Sequence, residues 1–189
     1  MKKSLVTLER AYHGLLMQIP TLVDALSQKH PRAPEQFIDW LKQAEATLKE
    51  QNNAKVAELA AIRSGMLAKA LQDSSRKAQQ QRCAEAISEA QAIIQTLYLK
   101  VSEPIEDARK ILAPLLEALA QSRAVVYNGA AGFQVFIENI DQFLNQHEQL
   151  KANMVPVNAL LNRQDRLWLL ADLIDLEHWP QAESLVAAS

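Results

Sequence analysis

The sequence predicts an all-α fold, an antiparallel bundle of about five to seven long amphipathic helices with coiled-coil-like heptad packing. Three observations carry that prediction. Apolar residues return at alternating spacings of three and four along most of the 189 residues, which is the period of one helix face. Ala, Leu and Gln dominate while aromatics make up 5% and glycines number four, so straight-chain residues that lose little rotamer freedom in a helix fill the chain. No segment alternates apolar and polar as a half-buried strand does, and no repeat of fixed period stands out. At this length, one elongated helical domain over 1–189 is expected, with any sub-boundary near 128–132.

The first helix is expected over residues 4–29, where Leu5, Leu8, Tyr12, Leu15, Ile19, Leu22 and Leu26 form one seam. Pro20 falls inside it, and the unbroken phase of the seam favours a kink there over a stop and restart. Pro31 and Pro34 then end one helix and open the next, proline being well suited to a first helical turn. Phe37, Leu41, Ala44 and Leu48 continue the pattern to a polar break at Glu50-Gln51-Asn52-Asn53. Val56, Leu59, Ile62, Met66 and Ala70 take it up again, and a second break is expected at Gln72-Asp73-Ser74-Ser75. Residues 34–101 therefore divide into two helices or three.

Cys83, Ile87, Ala90, Ile94, Leu97 and Val101 form the next seam, and Ser102-Glu103-Pro104 reads as a capped restart. Ile105, Ala108, Leu112, Leu115, Leu119, Ser122 and Val126 follow, with a kink expected at Pro114. Tyr127-Asn128-Gly129 reads as a helix end with glycine in the left-handed position. Phe133, Phe136, Ile140, Phe143, His147 and Leu150 give a fifth seam, and shorter helices are expected over about 157–163, 165–178 and 181–187.

Charge and cysteine content exclude some function classes. The formal charge is −2, spread as +3 over residues 1–32, +1 over 33–101, −3 over 102–160 and −3 over 161–189, so no strongly basic surface drives an interaction. The charges of the two ends complement each other. A single cysteine permits no internal disulfide and fits a reducing compartment. Met1-Lys2-Lys3 resembles a signal-peptide start, but Glu9, Arg10 and His13 interrupt the stretch that would have to be apolar. No apolar run reaches the ~18–20 residues a membrane span requires. Cytoplasmic residence is the expectation.

No motif points to catalysis, a metal or a cofactor, and none is expected. Asn128-Gly129-Ala130-Ala131-Gly132 is the one glycine-rich stretch. It follows no strand and precedes no Lys-Ser or Lys-Thr, so it reads as a helix-to-helix turn and not a phosphate cradle. Paired Glu-x-x-His motifs, the usual metal set of helical bundles, do not occur. Asp175 with His178, and Glu9 with His13, read as solvated pairs, while Cys83 and His147 occupy seam positions that suit a buried thiol and a hydrogen-bonded core histidine. Ala60–Ser75 has a faint helix-turn-helix look, but Ser64 and Ser74 stand where that motif needs apolar residues. Arg76, Lys77 and Arg82 offer few cations for phosphates, so nucleic-acid binding is not expected. Mixed-sign polar faces argue against a membrane-surface role.

What the chain does offer is helix faces. Leu167 to Leu176 is apolar around most of its circumference, with Asp165, Asp172 and Asp175 in one narrow stripe. The sequence thus leans away from an enzyme, towards a protein–protein interaction module such as an adaptor, scaffold or chaperone-like bundle. Another protein or a second copy in a homodimer would be its partner. Trp168, Leu169, Leu173, Leu176 and Trp179 are the expected partner-binding residues, tryptophan being a favoured anchor. The alternative is a ligand-binding or enzymatic bundle with a pocket at residues 127–147, lined by Tyr127, Phe133, Phe136, Phe143 and His147.

Overall fold

The computed structural model describes residues 4–72 and 75–182, with backbone alone at 69–72. Among them the chain forms eight α-helices and one 3-10 turn, and the helices pack on one another in an all-α fold. The helices are α1 (Leu5–Leu16), α2 (Ile19–Ser27), α3 (Ala33–Glu50), α4 (Val56–Gln72), α5 (Arg76–Ser122), α6 (Phe133–Gln146), α7 (Glu148–Leu160) and α8 (Arg163–Leu173), with the 3-10 turn at Gly129–Ala131. Chain contacts divide them into two compact units. One is contiguous, Glu9–Lys100; the other joins the first residues, up to Leu8, to everything from Val101 onward. The 128–132 stretch lies inside the second.

In the contiguous unit, α2 packs on α3 and α3 on α4. Its interior takes Tyr12, Leu15, Ile19 and Leu22 from the first seam, then Phe37, Leu41, Ala44 and Leu48, then Leu59, and finally Cys83, Ile87, Ala90, Ile94 and Leu97. Each of these residues lies on the face that the three-and-four spacing marks as apolar. Phe37 stacks on Trp40 at 5.7 Å, and the Trp40 indole N–H donates to the Leu15 carbonyl at 3.1 Å. The polar break after Glu50 is real: Asn52 sits at φ 51°, and the Asn53 side chain accepts from the Lys55 N–H. Tyr12 donates its hydroxyl to Gln51 at 2.6 Å, and burial pushes that phenol's pKa up.

Pro20 corrects the expected kink. Helix α1 ends at Leu16 and α2 restarts at Ile19, with the proline in the first turn, where its missing N–H costs no helical bond. Pro34 takes the equivalent place in α3. Residues 33–100 carry α3, α4 and the first part of α5. Helix α4 covers 56–72 without a turn, so no helix-turn-helix exists there. Asp73 and Ser74, where the second break was placed, lie outside the described residues, as do Met1-Lys2-Lys3 and most of the 181–187 segment.

The discontinuous unit has one core cluster running from Val6 through Ile105, Ala108, Leu112, Leu116 and Leu119 to Phe136, Ile140, Leu144, Met154, Val157, Leu170 and Trp179. Helix α6 packs on α7 and α8. Several boundaries differ from the sequence reading. Ser102-Glu103-Pro104 is not a restart, because α5 runs through it. The carbonyl left unpaired by Pro104 belongs to Lys100, an exposed residue, so water can take the place of the lost bond. Helix α5 ends earlier than expected, at Ser122, with Arg123 at φ 54°. Gly132, not Gly129, is the glycine at positive φ, 81°. His147 is exposed and extended between α6 and α7, not a core residue, because the chain must turn there. The expected helices at 157–163 and 165–178 are instead α7 and α8, and after Leu173 the chain turns extended at Ile174.

Candidate functional site

The expected partner-binding residues separate by burial. Leu169 and Trp179 belong to the core at 1% and 5% exposure, while Trp168, Leu173 and Leu176 are half-buried and pack against its margin. Trp179 is fixed from both sides: its indole N–H donates to the Val125 carbonyl at 3.0 Å, and Phe136 meets its ring edge-on at 5.4 Å. The expected acidic stripe also separates. Asp172 and Asp175 are exposed, but Asp165 is fully buried.

Asp165 is buried because it caps the start of α1. Its carboxylate accepts from the Ser4 hydroxyl at 2.5 Å, the Leu5 N–H at 3.0 Å and the Val6 N–H at 3.2 Å. Those are among the donors a helix start leaves without partners, and an anion there also faces the favourable end of the helix dipole. Asn162 caps α8 in turn, accepting from the Asp165 N–H at 2.9 Å. The Asn162-x-x-Asp165 spacing is a cap signature that the sequence reading passed over. A second buried polar contact lies near it. Arg166 grips Asp141 with two nitrogens, at 2.8 and 3.2 Å, and Asn145 also donates to Asp141.

The aromatic residues expected around a pocket fall into two groups. Tyr127 and Phe133 each contact Phe136, at 5.1 and 6.4 Å, and this set joins Trp179. Phe143 contacts His147 at 5.1 Å, apart from them. A cavity of about 290 Å³ borders Tyr127, Asn128 and Gln181, and none of the phenylalanines lines it. Asn128 here caps the 3-10 turn, its side chain accepting from the Ala130 N–H at 3.1 Å, which makes the glycine stretch a turn between helices.

Two open grooves follow helix faces. In the contiguous unit a groove of about 460 Å³ runs between α2 and α3, with Leu22 and Trp40 as floor and Gln18, Gln36 and Gln43 at its rim. Met17 stands at its edge, 62% exposed. In the other unit a cleft of about 350 Å³ lies between the end of α5 and the segment after α8. Leu116, Leu173 and Trp179 form its floor, with Glu117, Asp175 and His178 at its rim. Asp175 Oδ2 lies 2.7 Å from His178 Nδ1, while Oδ1 accepts from the Glu177 N–H. These two hydrogen bonds hold the Asp175 carboxyl below its ordinary range, the one from His178 contributing most.

Cys83 is buried, and burial raises its thiol pKa, the opposite of what a reactive cysteine needs. Among the described residues no three His, Cys, Asp or Glu side chains come together as a metal set, and no helix is long and apolar enough to cross a membrane. Comparisons with protein-family models, with curated proteins and with solved structures match nothing to this chain.

Proposed function

We propose that the chain is a non-enzymatic interaction module, a helical adaptor or scaffold that acts by receiving partner segments along its helix faces. The observation that carries this reading is the pair of open grooves, each with an apolar floor and a polar rim. That is the anatomy of a protein interface, where a desolvated apolar centre binds and a wet margin selects. Met17 suits such a surface, since an unbranched thioether adapts to differing partners. The same reading takes the partner to be another protein or a second copy of the chain. Residence in the cytoplasm belongs to it too, supported by a lone buried thiol.

The test is capture of partners by the tagged full-length chain from nuclease-treated native lysate, alongside Met17→Ser and Leu173→Gln variants of unchanged melting temperature. A stoichiometric protein partner that either variant loses is the expected result. Recovery of the bait alone, as a monomer by light scattering, would overturn the reading.

A further inference from the structure

The cleft beside α8 has a shape and a charge that narrow what it can take. Its α5 wall is built from Ala113, Leu116, Glu117, Ala120 and Gln121. Those positions fall three and four apart and form one helix face over two turns, about 12 Å long at 1.5 Å per residue. An elongated wall of that kind matches a rod laid along it better than a compact molecule. The floor is apolar, and because the Trp179 N–H is already taken by Val125, the indole has only hydrocarbon and ring surface left to offer.

The margin is acidic. Glu117 stands on the α5 side and Asp175 on the opposite side, with exposed Glu177 two residues further on, and among the described residues no Lys or Arg lines the cleft. His178 is the one lining residue able to carry positive charge, and it is already engaged by Asp175. Asp175 keeps its charge to lower pH than an ordinary carboxyl does, and a carboxylate with two partners still has acceptor capacity for a cation.

From this apolar floor with one carboxylate on either side, we infer that the cleft binds a basic amphipathic helix of a partner protein. Its leucine-like side chains would lie against Leu116, Leu173 and Trp179, and its Lys or Arg side chains would reach Glu117 and Asp175. Helix-in-groove recognition supplies the burial, and the charges set register and exclude acidic helices. The inference rests on the interaction-module reading and specifies one of its surfaces.

The test uses the full chain and a fluorescent amphipathic peptide of leucine and lysine, with a leucine–glutamate peptide as its counterpart, read by anisotropy. The basic peptide is expected to bind at least about tenfold more tightly than the acidic one, and less tightly as salt rises. Replacing both rim carboxylates, Glu117→Gln with Asp175→Asn, is expected to weaken it about fivefold, as two exposed ion pairs would. Glu103→Gln, an exposed carboxylate on α5 outside the cleft, should leave it unchanged. Equal binding of the two peptides, or equal losses in the rim and control variants, would overturn the inference. A lysate partner captured in that case, and lost only with Met17→Ser, would leave the interaction reading intact. Failure of the lysate capture would strike that reading and not the peptide result.

Discussion

The two units solve the same packing problem with different chemistry. Among the described residues between Glu9 and Lys100, the buried side chains are apolar apart from the Tyr12 hydroxyl and the Trp40 N–H. Its bidentate ion pair between Arg63 and Glu45 stays partly in water at 28% and 16% side-chain exposure. The other unit, among its described residues, buries the carboxylates of Asp141 and Asp165 and supplies each with donors from distant parts of the chain. The first unit should therefore be sensitive to lost volume, and the second to lost partners, since a buried charge without one costs more than the pair contributes.

The sharpest way to break that contrast is Asp141→Ala. It leaves the guanidinium of Arg166, whose side chain is 12% exposed, without its carboxylate, and should cost about 4 kcal/mol in urea unfolding. Hydrogen exchange should place the loss in α6–α8; an effect under about 1 kcal/mol would mean that the pair is in effect solvated. Leu41→Ala, at a fully buried position, should cost about 3 kcal/mol and open exchange in α2–α4 instead. Asp165→Ala should cost about 2 kcal/mol and free the first turn of α1, while Asp165→Asn, which keeps an acceptor, should recover roughly half. The smallest effect is expected for Tyr12→Phe, about 1 kcal/mol, because Gln51 is only half-buried and can turn to water.

Periodicity made the helices legible, because three-and-four spacing has one structural meaning when glycine is scarce. The seam residues from Tyr12 to Leu22 and from Cys83 to Leu97 are buried as that spacing requires. Boundaries were harder to read at the prolines. Pro20 and Pro104 both sit within apolar runs, yet one opens a helix and the other rides inside one. What separates them is helical position: Pro20 stands in a first turn, where its N–H has no helical partner to lose, and Pro104 stands in a helix interior, a difference the apolar spacing does not report. The cap made by Asp165 was hidden for a related reason. Its helical position grouped it with Asp172 and Asp175, and only contact with a segment about 160 residues away takes it out of water. Of the candidate surface, Leu173 and Trp179 were readable as apolar residues near the C-terminal helix. Glu117, on another helix, was not, because nothing in sequence joins it to Asp175.

The clasp between Ser4–Val6 and Asp165 also has a meaning in time. A ribosome delivers the whole of Glu9–Lys100 before it delivers Asp165. At roughly 5–20 residues per second, the opening residues wait about 10–30 s for the carboxylate that caps them. The contiguous unit can fold during that interval, and the first turn of α1 is fastened last. Ser4–Val6, made well before Asp165, are thus among the latest residues to become native, and a pause in translation just before Asp165 would lengthen their exposure without touching the contiguous unit.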